Sequence, residues 1–91
     1  MTTIEKAIEV YGKDMQLTVA AEEFSELIKE ICKNKRGADN VGAIAEEMAD
    51  CYIMLDQLKI IFNIDDVAIF GIKAAKLMRL DDRLAERREN G

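Results

Sequence analysis

Three long stretches of this chain carry apolar side chains at helical spacing, and no proline interrupts any of them. Apolar residues that recur every three or four positions form one face of a helix, so this spacing predicts three long amphipathic helices. A short helix is predicted before them, because Thr2 and Glu5 match a capping box and Gly12 breaks the run after Tyr11. The long helices are predicted at residues 13–34, 41–62 and 66–87.

No segment alternates with period two, so the sequence predicts an all-α fold, and its 91 residues make a single domain. The tail from Glu86 to Gly91 is predicted to fray. Each long helix has an apolar stripe that we expect to be buried. The stripes are Leu17, Ala20, Phe24, Leu27, Ile28 and Ile31; then Ile44, Met48, Cys51, Tyr52, Leu55, Leu58 and Phe62; then Phe70, Leu77, Leu80 and Leu84.

The composition excludes several kinds of chemistry. The chain has no histidine, which removes His-containing zinc sites and catalysis by Ser-His-Asp or Cys-His groups. A net charge of −5 disfavours general binding to nucleic acid, where neutralisation of phosphates supplies most of the affinity. Neither a membrane-length apolar run nor a signal-peptide pattern is present. With Cys32 and Cys51 expected as reduced thiols, the prediction is a cytoplasmic protein without a membrane or nucleic-acid partner.

Two similar acidic motifs lie inside the apolar runs. Glu23 and Glu26 are three residues apart on the second helix, and Glu47 and Asp50 are three residues apart on the third. At about 100° per residue, each pair occupies the same flank of its apolar stripe. Two antiparallel helices packed through their stripes could bring those flanks together. The adjacent Glu22 and Glu46 fall on a different side and are not part of the predicted cluster.

Two interpretations of these carboxylates are open. Acidic side chains at the edge of an amphipathic helix are usually solvated or paired with lysine and arginine. Asp50, however, precedes an unbroken apolar run, where an unpartnered aspartate is unusual. Four carboxylates in one place would repel each other unless a cation neutralised them, and carboxylate oxygens are the ligands that Mg²⁺ prefers. The second interpretation is therefore a metal site.

The fourth helix carries the opposite charge. Lys76, Arg79 and Arg83 follow one flank of its stripe, and Lys73 falls within the stripe itself. These cations are either the solvated face of an amphipathic helix or an anion-binding surface. An acidic metal site beside a cationic flank is what a polyphosphate–metal complex requires. Gln16 lies on the flank of the second helix that carries the carboxylates, and is a candidate substrate contact.

Together, Glu23-x-x-Glu26 and Glu47-x-x-Asp50 resemble the motifs of the MazG-like all-α nucleoside triphosphate pyrophosphohydrolases. The context agrees at Tyr11-Gly12-Lys13-Asp14-Met15-Gln16-Leu17 and at Ala45-Glu46-Glu47-Met48-Ala49-Asp50. The resemblance extends from about Ile4 to Leu84. It implies a core of four antiparallel helices, assembled as a homodimer or a tetramer.

The resemblance also implies a reaction and a set of roles. Glu23, Glu26, Glu47 and Asp50 would hold Mg²⁺, with Mn²⁺ as a substitute, and would act in catalysis. Water activated by the metal would cleave a nucleoside or deoxynucleoside triphosphate to the monophosphate and pyrophosphate. Lys73, Lys76 and Arg79 would contact the substrate phosphates. The last helix departs from the family pattern, since Ala74 stands where the family has Asn and Leu77 where it has Phe.

A second hypothesis needs no chemistry. The same amphipathic helices suit a non-enzymatic dimerisation or adaptor module with solvated acidic faces. A ligand-specific gain in stability with Mg²⁺ and nucleotide would separate the two, because only a binding site produces it.

Overall fold

The computed structural model describes residues 1–90, and every regular element among them is a helix. This confirms the predicted all-α class. The helices are α1 (Thr3–Tyr11), α2 (Lys13–Lys35), α3 (Val41–Ile61) and α4 (Asp66–Asn90). The predicted boundaries agree within one residue for the first three helices, whereas α4 continues three residues beyond the predicted Arg87. Within the described residues, no helix has the length and apolar character needed to cross a membrane.

The short helix α1 begins and ends as its sequence predicts. The hydroxyl of Thr2 accepts from the backbone N–H of Glu5 at 3.1 Å, and Glu5 Oε1 accepts from the backbone N–H of Thr2 at 2.9 Å. Gly12 then adopts a φ of +89°, a region that L-residues rarely occupy, and α2 starts at the next residue. This joint lets α1 pack on both α2 and α3, where Ile8 is buried.

Helices α2 and α3 form the largest contact in the molecule. At the start of α3, Asn40 Nδ2 donates to the backbone oxygen of Glu30 at 2.9 Å and to its Oε2 at 3.0 Å. Farther along α3, the Cys51 thiol donates to the backbone oxygen of Glu23 at 3.6 Å. Later positions of α3 therefore meet earlier positions of α2, as in a helical hairpin.

The buried side of this hairpin differs from the predicted apolar stripes. The core consists of Ile8, Ala20, Cys51 and Met54, together with the amides of two glutamines. Because α2 and α3 meet through the flank that carries the carboxylates, much of each apolar stripe faces outward. The predicted burial is wrong for Ile28, Ile31, Met48, Tyr52, Leu55 and Phe62, all of which are exposed.

Helix α4 starts at a cap and then leaves the other helices. Asp65 Oδ1 accepts from the backbone N–H of Ala68 at 2.8 Å, and Lys59 Nζ contacts Asp66 Oδ1 at 2.9 Å. Beyond this point α4 has no packing comparable with that among α1, α2 and α3. Among the described residues, the packed core of one chain is formed by α1, α2 and α3. The predicted α4 stripe of Phe70, Leu77, Leu80 and Leu84 is exposed along its length.

The resulting shape is extended. The radius of gyration is 17.1 Å, whereas a compact domain of this length has about 12 Å. The accessible surface is 7308 Å², compared with about 5,400 Å² expected for a folded monomer of this mass. Both differences come from α4 and from the outward stripes of the hairpin.

Candidate metal centre

Three of the four predicted carboxylates meet across the hairpin. Glu23 from α2 and Glu47 and Asp50 from α3 each place one carboxylate oxygen within 4.8 Å of the others. All three side chains are half-buried. The contact between Cys51 and the backbone of Glu23 sets this register, because Asp50 and Glu47 are its neighbours along α3.

The fourth predicted carboxylate lies at the edge of this group. Glu26 is exposed, outside the set of mutually close oxygens, and its Oε2 lies 3.9 Å from Lys29 Nζ. It still raises the pKa of both Glu23 and Glu47, so its charge acts on the cluster. Glu22 and Glu46 are exposed, as the helical arithmetic predicts.

The carboxylates of the cluster raise one another's pKa. Burial, then a hydrogen bond and charge repulsion from Asp50, raise the pKa of Glu23 above its ordinary value. Burial, then the charges of Asp50 and Glu26, raise the pKa of Glu47. Among the described residues, no lysine or arginine offsets either shift. The cluster therefore favours either protons or a bound cation.

Cys51 lies beneath the carboxylates. Burial, then the charges of Glu23, Glu47 and Asp50, raise the pKa of its thiol. The Cys51 sulfur is not among the mutually close ligand atoms, which belong to Glu23, Glu47 and Asp50. The donor set of the site is therefore oxygen alone.

The geometry suits a small, hard cation. Mg²⁺ binds oxygen at about 2.0–2.1 Å, so opposite ligands in an octahedron lie about 4.2 Å apart. The 4.8 Å limit on the three carboxylate oxygens is slightly wider than that. Side-chain torsions can close this gap, because all three side chains retain some solvent exposure. Three carboxylates leave coordination positions for water or phosphate oxygens, which is the usual Mg²⁺ shell.

The predicted phosphate-binding residues lie elsewhere in the chain. Lys73, Lys76 and Arg79 are exposed on α4, which has no packing on the hairpin comparable with that between α2 and α3. Lys76 and Arg79, with Asp82 and Arg83, border an open surface depression. The structure of one chain thus brings none of these cations to the carboxylates, and their contact with phosphate stays a prediction.

Two glutamines occupy the hairpin core. The predicted substrate contact Gln16 is only 5% exposed, so it is not at the accessible surface of the cluster. Gln57 is 3% exposed, and its Oε1 has no hydrogen-bond partner among the described residues. The register places the two at the same level of the hairpin, one heptad beyond Glu23 and Asp50. Sequence reasoning missed Gln57, although its spacing of seven residues from Asp50 was visible.

The sequence interpretation also missed how Asn40 fixes the entry to α3. Asn40 stands at the N-cap position of α3, but its side chain makes no capping bond. Its amide instead binds Glu30, and this contact lowers the pKa of the Glu30 carboxyl. Asn34 Nδ2 in turn donates to Asn40 Oδ1 at 3.2 Å. These bonds hold the turn that aligns the two acidic motifs.

The fold and the site together define an all-helical protein with an acidic cluster between two helices of a hairpin. No family model, curated protein or solved structure matches this chain. Its function must therefore be argued from the cluster and from the resemblance in its motifs.

Proposed function

We propose that the chain is a Mg²⁺-dependent nucleotide pyrophosphohydrolase that cleaves a nucleoside or deoxynucleoside triphosphate to the monophosphate and pyrophosphate. The observation that carries the proposal is the cluster of Glu23, Glu47 and Asp50, with oxygens within 4.8 Å on facing helices. The resemblance to the MazG-like family rests on both acidic motifs. It indicates the type of reaction and the class of substrate.

The roles in this proposal follow from position and charge. Glu23, Glu47 and Asp50 hold the ion, and Glu26 adds negative charge at the solvent edge of the site. A bound Mg²⁺ would supply charge neutralisation at the phosphates and would acidify a coordinated water. Lys73, Lys76 and Arg79 neutralise the remaining phosphate charge once α4 reaches the site.

The proposed assembly is a homo-oligomer, either a dimer or a tetramer of antiparallel helices. The exposed apolar stripes of α3 and α4 support it, because monomeric proteins rarely leave contiguous apolar surface of this extent in water. Tyr52 and Phe70, which are 66% and 65% exposed, are the largest such side chains on the two helices.

The test is a panel of nucleoside and deoxynucleoside triphosphates with Mg²⁺ and with Mn²⁺, read by product identification. Monophosphate and pyrophosphate are expected, whereas diphosphate and phosphate would indicate a different hydrolase. Glu23→Gln should lower turnover about 100-fold or more, because it removes a charge from the metal site. The matched control Glu22→Gln removes the same charge one residue away and should leave turnover unchanged. A folded protein that turns over none of the panel contradicts the proposal.

The exposed apolar surface favours one other function, a helical dimerisation or adaptor module. In that case Mg²⁺ with nucleotide gives no increase in thermal stability, since there is no site to bind them. Wild type and Glu23→Gln would then melt at temperatures that do not depend on the ligand. A ligand-dependent increase in wild type that Glu23→Gln abolishes excludes this function.

A further inference from the structure

Two lysines of α2 lie beside the carboxylate cluster of the same chain. Lys29 Nζ is 3.9 Å from Glu26 Oε2, at the edge of the cluster, and Lys33 Nζ is 3.5 Å from Glu30 Oε1. The sequence predicts phosphate contacts on α4 alone and gives these two lysines no role. Within one chain, however, they are much closer to the cluster along the sequence and the helix than the cations of α4 are.

The contacts across the hairpin show which stretch of α2 faces the ion ligands. Cys51 of α3 meets Glu23 of α2, and Asn40 meets Glu30. Along α3, Glu47 lies between the two residues that make these contacts, so it faces α2 between Glu23 and Glu30. The pKa of Glu47, raised first by burial, is raised further by the charge of Glu30. The first lysine lies within this stretch of α2, and the second follows it by one turn.

The two lysines occupy the solvent side of the carboxylates. At about 100° per residue, Lys33 and Lys29 lie roughly 20° and 60° beyond Glu26, in the direction that leads away from the contact with α3. Their side chains are 43% and 59% exposed, respectively. An ion held between the helices would thus have carboxylates on its protein side and two solvated ammonium groups near its open side.

The distances along α2 suit a chain of phosphates. Lys29 and Lys33 are about 4.5 and 10.5 Å along the helix axis from Glu26, at 1.5 Å per residue. Each ammonium group is carried on a flexible stem of four carbons and acts as a point charge toward phosphate. A polyphosphate bound to the ion at one end can therefore reach both ammonium groups along the solvent side of α2.

The present contacts of the lysines leave them available for a ligand. Exposed ion pairs between residues three positions apart contribute little to stability. Glu30 also accepts a hydrogen bond from the Asn40 amide on its other oxygen, Oε2, so it keeps a partner when Lys33 turns away. Exchange of a glutamate for a more highly charged phosphate is therefore favourable for both lysines.

We propose that Lys29 and Lys33 bind the phosphates of a polyphosphate ligand whose other end is held by the ion of Glu23, Glu47 and Asp50. The proposal rests on the function proposed above for that cluster. It adds two phosphate contacts supplied by the same helix that supplies an ion ligand. It also gives the ligand a direction, because the phosphates then extend along α2 from the cluster toward the turn between α2 and α3.

The test compares the double variant Lys29→Gln/Lys33→Gln with a matched control, Lys6→Gln/Lys35→Gln. The control removes the same charge at exposed positions, one on α1 and one about 160° around α2 from Lys33. Calorimetry measures the binding of Mg²⁺ alone and, in saturating Mg²⁺, the binding of tripolyphosphate.

The double variant should bind tripolyphosphate about 10–100-fold more weakly than the control, because two charge-assisted contacts are lost. It should bind Mg²⁺ alone at least as tightly as the control, because both removed charges repel the ion. Equal affinity of the two variants for tripolyphosphate overturns the proposal. A loss of Mg²⁺ affinity as large as the loss of tripolyphosphate affinity also overturns it, since the lysines would then only support the shape of the cluster.

The nucleotide assay separates these contacts from the hydrolase itself. If wild type hydrolyses no nucleotide but binds tripolyphosphate through the two lysines, the hydrolase proposal fails and the phosphate contacts stand. If the double variant hydrolyses nucleotide with the KM of wild type, the contacts fail and the hydrolase proposal stands. With both correct, KM in the double variant rises about 10-fold or more, and kcat changes less. A wild type that binds neither Mg²⁺ nor tripolyphosphate contradicts both proposals.

Discussion

The α2–α3 hairpin and helix α4 are built from the same kind of sequence but fold into different environments. Both have an apolar stripe with charged residues along one flank. In the hairpin the charged flank turns inward, and three carboxylates meet beside buried Ala20 and Cys51. In α4 the stripe is exposed, and the helix has no packing comparable with that between α2 and α3. The hairpin thus has a buried core and a cluster of negative charges. Helix α4 has an exposed apolar stripe and carries positive charges.

The sharpest test of this comparison is the cost of removing an apolar side chain from each region. Met54→Ala leaves a cavity in the hairpin core and should lower the free energy of unfolding by about 2–4 kcal/mol. Leu84→Ala on α4 removes a half-exposed side chain, and should cost less than about 0.5 kcal/mol in a single chain.

Chemical denaturation over a range of protein concentrations measures both effects. The cost of Met54→Ala should appear at every concentration, whereas any larger cost of Leu84→Ala should appear only where the chain associates. A large cost for Leu84→Ala at the lowest concentration would mean that α4 packs within its own chain.

A smaller effect of opposite sign is expected at Gln57. Its buried Oε1 has no hydrogen-bond partner among the described residues, and an unpaired buried acceptor costs about 1–3 kcal/mol. Gln57→Met keeps the length of the side chain and removes the polar group, so it should raise the unfolding free energy by about 1 kcal/mol. Equilibrium denaturation checks the sign. A loss of stability would show that the amide has a partner, and Met54→Leu serves as the apolar control in the same core.

The smallest expected effect is a difference in pH dependence. The pKa of Glu47 is raised in the folded chain, so folded protein binds the proton more tightly than unfolded protein does. Without metal, stability should therefore fall as pH rises from the ordinary glutamate pKa through the raised one. Glu47→Gln should be more stable than wild type at pH 7 in EDTA, and the difference should vanish near pH 4. Saturating Mg²⁺ should reverse it.

Glu5 provides the control for that measurement, because its pKa shifts the other way. The backbone N–H and the hydroxyl of Thr2 bond to it in the capping box and lower its pKa. Its contribution is present at pH 7 and is lost as pH falls through the lowered pKa. Glu5→Gln should thus be less stable than wild type at pH 7, in EDTA and in Mg²⁺ alike. The same sign for both variants would contradict the assigned shifts.

The local features of the fold were predictable because they depend on nearby residues. The capping box of Thr2 and Glu5 and the break at Gly12 each follow from a few positions. Helical arithmetic likewise selected Glu23, Glu26, Glu47 and Asp50, and three of these four carboxylates meet. Burial was not predictable in this way. Tyr52 and Leu55 look like core residues from their periodicity, but periodicity does not reveal which apolar side chains are buried within the chain and which stay exposed.

The side-chain bonds that set the register of the hairpin were also beyond the sequence pattern. Asn40 resembles a cap, and only the turn geometry reveals that it binds Glu30. Gln57 resembles a surface residue in the sequence, but it is buried in the fold. Both depend on long-range packing, which spacing along one helix cannot encode.

The buried thiol of Cys51 provides a way to measure how often the hairpin opens. Cys51 is buried and bonded to the backbone of Glu23, whereas Cys32 is exposed near the end of α2. A thiol reagent should therefore modify Cys32 at once and Cys51 only when the hairpin opens. The slow phase of the modification reaction then reports the rate at which α2 and α3 separate. An ion that binds both helices should make this phase slower.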